Sequence, residues 1–157
     1  MAASSFIYNA AKQMGMSISA PNLCFWSSTT ASYYITLVSN NYTPSENHVY
    51  ASAFSGAELS STSFTAGFNG TMRISITGRV LNVNTTSNQV EFQCNGFTWS
   101  GLSAGVAHAF IVLQQTTNDA NSPMITYNSL GGFPITTNNT NFTLSLTSAG
   151  IFDGVDV

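Results

Sequence analysis

The chain has 157 residues, 43% of them hydrophobic, yet only three are Lys or Arg and six Asp or Glu, for a net charge of −3. A globular domain ordinarily gives about a quarter of its residues to charge, so Ser, Thr, Asn and Gln must supply the polar surface and little repulsion keeps copies apart. Lys12, Arg73 and Arg79 are too few cations to neutralise a phosphate backbone, so no nucleic-acid partner is expected, and no apolar run reaches the roughly 18 residues of a membrane helix.

Phe6, Ile7, Ala10, Ala11 and Met14 recur at helical spacing, with Ser4 or Ser5 placed to cap the start and Gly15 to end it, which predicts a short amphipathic helix over 6–16. Such a helix either docks as an arm on a neighbour or packs on its own sheet. Met1–Met16 lacks the continuous apolar core and small-residue cleavage site of a secretory signal, so synthesis in the cytoplasm is expected. The expected organisation is a helical arm over 1–20 and a β-domain over 21–157.

Beyond Ala20 the chain reads as strands. Leu23–Trp26 and Tyr33–Ser39 are apolar or β-branched runs separated by a turn-forming Ser/Thr cluster. Thr71–Val83 alternates: Met72, Ile74, Ile76, Val80 and Leu81 are expected inward and Arg73, Ser75, Thr77 and Arg79 outward, with Gly78 at a bend or bulge. Gln89–Cys94 follows across a polar hairpin loop, Asn84–Asn88. Ala107–Leu113 is nearly all apolar, as suits a central strand covered on both faces. Met124–Tyr127 and Phe142–Leu146 supply two more strands, whereas Asn118–Pro123 and Gly131–Asn141 read as loops. About eight short strands with turns roughly every ten residues predict an all-β fold, an antiparallel β-sandwich or jelly roll with a short N-terminal helix.

Chemistry has few carriers. His48 and His108 are the only imidazoles; His108 lies in the apolar run and is expected at a core or strand-end position, and His48 follows Glu46 in a loop. No nucleophile-elbow pattern is present. The carboxylates are scattered, with Asp153 and Asp156 expected solvated near the end of the chain. Asn118, Asp119 and Asn121 space oxygens as a calcium site would, but outside any helix-loop-helix pattern. Cys24 and Cys94 are expected as two buried free thiols. No catalytic residue, metal or cofactor is therefore expected. The aromatics Phe25, Trp26, Tyr33, Tyr34, Trp99 and Tyr127 are expected in the core or at an interface, or as rings on which a sugar or peptide stacks.

From Val38 onward a particular order of words runs through the chain: Tyr42-Thr43-Pro44-Ser45, His48-Val49-Tyr50-Ala51-Ser52, Glu58-Leu59-Ser60, Phe64-Thr65-Ala66-Gly67, Trp99-Ser100-Gly101, Ala107-His108-Ala109-Phe110-Ile111-Val112, Ser122-Pro123-Met124-Ile125-Thr126-Tyr127 and Gly150-Ile151-Phe152. This order resembles the small virion structural proteins of tailed bacteriophages, most of all the capsid decoration, or cement, proteins, over nearly the whole chain. The resemblance implies a non-catalytic protein on the capsid surface of a virion, made in the host cytoplasm. It would self-associate as a dimer or trimer and sit over joints between copies of the major capsid protein. The candidate contact residues are Phe6, Ile7 and Met14 of the arm with Phe25, Trp26 and Tyr33, and the candidate capsid-facing segment continues through Ser19–Ser28. A neck, tail or fibre-associated virion protein and a jelly-roll glycan-binding module are the alternatives.

Overall fold

The computed structural model describes residues 4–16, 31–59, 73–85, 89–102, 104–145 and 153–154. Within them the strands are β1 (Ser5–Ile7), β2 (Tyr33–Val38), β3 (Arg73–Ser75), β4 (Val80–Asn84), β5 (Gln89–Gln93), β6 (Phe97–Trp99), β7 (Gly105–Ala107), β8 (Ala109–Gln114), β9 (Met124–Asn128), β10 (Ile135–Thr137), β11 (Phe142–Leu144) and β12 (Asp153–Gly154). One helix, α1 (Asn9–Met16), follows β1. The protein is all-β: every strand pairing is antiparallel and the helix is minor.

The largest sheet has the order β1-β9-β8-β2-β3. Its centre is the most apolar run of the sequence: Ala109 to Leu113 are all buried, against Tyr33, Ile35, Leu37 and Val38 of β2 on one side and Met124, Ile125 and Tyr127 of β9 on the other. Residues of both strand faces are buried in β2 and β8, so this sheet is covered on both sides. The smaller sheets are β12-β5-β4, β10-β7 and β11-β6. Trp99 is wholly buried and stacks on Phe142 across the last of these, with ring centroids 5.7 Å apart.

Several boundaries differ from the sequence expectation, each for a tertiary reason. The helix begins at Asn9, not Phe6, because Ser5, Phe6 and Ile7 pair with Asn128, Tyr127 and Thr126 as the edge strand β1. Ladder pairing with a long neighbour outweighs a local helical period. The described part of the expected 1–20 arm thus lies on the domain's own sheet, with Tyr8 and Ala11 buried and α1 against β9; residues 17–20, like the expected strand Leu23–Trp26, lie outside the described residues. Thr71–Val83 is divided: β3 and β4 belong to different sheets, and Gly78, at φ 64°, turns the chain between them. The apolar run at 107–113 also changes sheets, β7 pairing with β10 and β8 with β2, and His108 marks the junction with its backbone N–H donated to Val38 O at 2.8 Å. Gly131–Asn141, expected as loop, contains β10. The expected hairpin forms as β4–β5, with Val80 opposite Gln93 and Asn84, expected in the loop, already paired with Gln89.

Candidate interaction surface

Between β2 and β3 the chain builds a platform whose buried side has a period of three. Ala51, Phe54 and Ala57 are buried while Ser52, Ala53, Ser55 and Gly56 are exposed. A 3-10 turn, here Ala51–Phe54, places every third residue on one side. Gly56, at φ 81°, reverses the chain in a left-handed conformation that glycine adopts without a Cβ clash. Ala57–Leu59 then return to β2: Ser39 N–H donates to Ala57 O at 2.8 Å, Leu59 N–H donates to Leu37 O at 3.0 Å, and Glu58 lies opposite Val38.

Arg73 lies opposite Thr36, two residues back along β2. Alternate strand residues share a face, so Glu58 and Arg73 meet along that edge. The Arg73 side chain is 0% exposed. Its Nε donates to Glu58 Oε1 at 2.7 Å and its Nη2 to Oε2 at 2.8 Å; its Nη1 donates to Asp119 Oδ1 at 2.7 Å and Nη2 to Oδ2 at 3.1 Å. The guanidinium carbon also lies 5.5 Å from the Phe54 ring centroid. Burial pulls the Arg73 pKa down, but the hydrogen bonds it donates to Glu58 and then Asp119 outweigh it and hold the group above its ordinary value. The expected outward position of Arg73 is thus corrected: the second face of the sheet is covered too, and this cation points into that cover.

Asp119 comes from a second 3-10 turn, Asp119–Asn121, in the β8–β9 connection. Backbone bonds join the two turns: Ala51 N–H donates to Ser122 O at 2.8 Å, Met124 N–H donates to Val49 O at 2.9 Å, and Tyr50 bridges Pro123. Ser122 is fully buried; its hydroxyl donates to Asn118 O at 2.8 Å and accepts Thr116 N–H at 3.0 Å. On the outer side Val49 is 37% and Tyr50 44% exposed. Across 49–57 and 115–124 the only charged residue is Asp119, which Arg73 holds. The result is a fixed surface of apolar, hydroxyl and amide groups.

Of the contact residues expected from sequence, Phe6 and Ile7 are half-buried on β1, with Phe6 stacked on Tyr127 at 5.2 Å and edge-on to Tyr8 at 5.1 Å. Tyr33 is a correction: it is buried at the start of β2 with the Arg79 guanidinium carbon 4.7 Å from its ring centroid, and it offers no contact surface. The Met14 side chain, Phe25, Trp26 and the segment Ser19–Ser28 lie outside the described residues. Sequence reasoning missed Val49, Tyr50 and the clamp behind them; the available signal was the Ala51, Phe54, Ala57 spacing before a carboxylate.

A second polar cluster ties the N-terminal segment to the loop after β2. Tyr8 Oη lies 2.9 Å from Tyr42 Oη, which lies 2.9 Å from His48 Nδ1. Burial raises the pKa of both phenols, and the Tyr8–Tyr42 bond raises that of Tyr8 further. Nearby, Lys12 Nζ pairs with Glu46 Oε2 at 3.1 Å and Asn9 N–H donates to Glu46 O at 2.9 Å. Cys94 is a free thiol that burial pushes up to about 12, so it stays protonated and unreactive; Cys24 lies outside the described residues. Among the described residues, no three His, Cys, Asp or Glu side chains are grouped to hold a metal ion, and the Asp119 carboxylate considered for calcium is taken by Arg73. Compared with known proteins, the chain matches no family model, and no curated protein or solved structure is similar to it at a significant level.

Proposed function

We propose that this chain is a non-catalytic structural protein of a tailed-bacteriophage virion, a decoration protein that binds the assembled capsid lattice and stabilises it. The family resemblance of its sequence supplies that reading, and a sandwich-type stacking of its sheets belongs to the same proposal. The observation that carries it is the Val49–Tyr50 platform: exposed apolar side chains on backbone fixed by a buried ion cluster, in a neighbourhood without free charge. A preorganised surface loses little entropy on docking. Charge-depleted surface with an exposed aromatic is what the middle of a protein interface uses. On a lattice, each weak contact is repeated and attachment becomes firm through multivalency.

The experiment is a protein census of the purified virion. A copy number on the order of the major capsid protein's supports decoration. A few copies per particle would move the protein to the neck, tail or fibre. Absence from the particle overturns the reading, and binding on a glycan array would replace it with the lectin alternative.

A further inference from the structure

We infer that Tyr8, Tyr42 and His48 form a proton-directed latch, in which a second proton on His48 loosens the N-terminal segment β1–α1 from the loop at 42–48. This inference is independent of the proposed virion role.

Tyr8, Tyr42 and His48 form a hydrogen-bond chain with a fixed number of protons to share. A phenol has one O–H to donate, a neutral imidazole has one N–H and one lone pair, and a doubly protonated imidazole has two N–H donors and no acceptor. With both phenols protonated and the His48 proton on Nε2, every group has a role: Tyr8 donates to Tyr42, and Tyr42 donates to the Nδ1 lone pair, each over 2.9 Å. The raised pKa values of Tyr8 and Tyr42 keep both protons in place. A proton arriving at Nδ1 reverses the last bond, because Nδ1–H must now donate to Tyr42. Tyr42 then turns its proton to Tyr8, and the Tyr8 proton has no acceptor among the described residues. Tyr8 is 0% exposed, so water cannot supply one while the segment stays docked. An orphaned buried hydroxyl is costly, and undocking of Tyr8 relieves it.

The location makes this a latch. Tyr8 stands between β1 and α1, and its backbone N–H donates to Ile125 O at 3.0 Å, while Asn9 N–H donates to Glu46 O and the Asn9 amide to Asn47 Oδ1 at 3.0 Å. The titratable and charged groups beside the chain are Glu46 and Lys12, paired with each other on the solvent side, and Tyr127, whose ring is 6.1 Å from that of Tyr42. Tyr42 also accepts a backbone hydrogen bond from Ser45, and the Phe54 and Phe6 rings flank Tyr42 and Tyr8. The Lys12–Glu46 pair is half-exposed, and such pairs contribute little, so it acts as a control and not as the switch.

The test is amide hydrogen exchange on the full chain at about pH 7.5 and about pH 5, the interval that spans imidazole titration. Protection factors are read for peptides covering Phe6–Lys12 and, as reference, Ala109–Leu113. In wild type the N-terminal segment is expected to lose about tenfold in protection on acidification relative to β8, within what one orphaned hydroxyl does to an opening equilibrium. His48→Gln, whose amide oxygen still accepts from Tyr42 but does not titrate, is expected to abolish that loss, and Glu46→Gln to keep it. Constant protection in wild type, or a loss that persists in His48→Gln or vanishes in Glu46→Gln, overturns the latch. A measurement on wild type alone is equally decisive: imidazole nitrogen NMR at about pH 7.5 must show His48 with its proton on Nε2, and a proton on Nδ1 refutes the inference.

Discussion

Arg73 Nη1 donates to Asp119 Oδ1 at 2.7 Å across a separation of 46 residues, and the same guanidinium grips Glu58 with two further bonds. Three of the chain's nine charged residues are thereby drawn inward in one cluster. The surface is poorer in charge than the composition alone indicates, and the charge is used to fix two loops against the sheet. Replacing Arg73 by Met leaves two carboxylates facing each other without their partner. A loss of about 3–5 kcal/mol is expected, because a buried charge stripped of its counterion costs more than the pair is worth. Replacing all three, as Arg73→Met, Glu58→Met and Asp119→Leu, is expected to recover most of it. Urea midpoints at constant denaturant slope read both results; a triple variant no better than the single would show that the cluster's energy is not electrostatic.

The position of Arg73 also marks where sequence reading ends. The alternation in Thr71–Val83 separates two strand faces at Ile74 and Ile76 against Ser75, but Val80, expected inward, is 53% exposed. It cannot tell that the second face is covered as well, since the cover comes from Phe54, far away in sequence. The central strand and the β4–β5 hairpin were legible because their signals are local: an unbroken apolar run, and two alternating runs around a polar turn. β1 was illegible for the opposite reason. Phe6 and Ile7 fit a helical period, and only β9, some 120 residues on, pulls them into a ladder. Val49 and Tyr50 carry no signal by type, because an exposed apolar pair looks like a core pair until the backbone beneath it is known.

Gly78 separates β3 from β4 at φ 64°, and a Cβ placed there meets Asn95 Oδ1 at 2.5 Å. The clash involves an exposed side chain that can swing away, giving up its 3.2 Å bond to Thr77 Oγ1. The backbone conformation offers no such relief. Gly78→Ala is expected to cost about 1–2 kcal/mol, the price of a left-handed L-residue, and adding Asn95→Ala is expected to restore less than half of it. Chemical denaturation of the three proteins decides between the two causes: full recovery in the double variant would make the clash dominant.

Cys94 gives the fold an alkaline edge. Burial pushes its thiol up to about 12 in the folded chain, from its usual 9.0. Below 9 both folded and unfolded chains hold the proton and no pH dependence arises from this group. As pH rises from 9 toward 12 the unfolded chain releases the proton first, so stability falls. Tyr8 and Tyr42, also raised by burial, act in the same direction above their usual 10.0. Among the described residues the thiol therefore acts first. Urea midpoints are expected to fall as pH rises from about 9 toward about 10 in wild type and to fall clearly less in Cys94→Ala; an equal fall in both would assign the edge to other groups.

Val49 and Tyr50 separate attachment from folding. Both side chains point outward from backbone that Met124 N–H, Ser122 O and Pro123 hold in place, so truncating them removes contact surface and leaves the clamp intact. Surface replacements away from caps, cores and ion clusters usually change stability by no more than about 0.5 kcal/mol. The pair Val49→Ser and Tyr50→Ser is accordingly expected to leave the urea midpoint within that range. On the proposed role it also lowers binding to capsids assembled without this protein, and by more than a single-site loss, because each weakened contact is repeated across the lattice. The complementary variant, Ser122→Ala, breaks the hydroxyl bridge to Asn118 and Thr116 while keeping both outer side chains. It is expected to cost about 1–2 kcal/mol of stability and to weaken attachment only as far as the platform loses its order. Co-sedimentation with capsids, run beside denaturation for the two variants, gives opposite rankings if the platform is the contact surface; attachment that survives loss of both Val49 and Tyr50 side chains places the contact elsewhere on the domain.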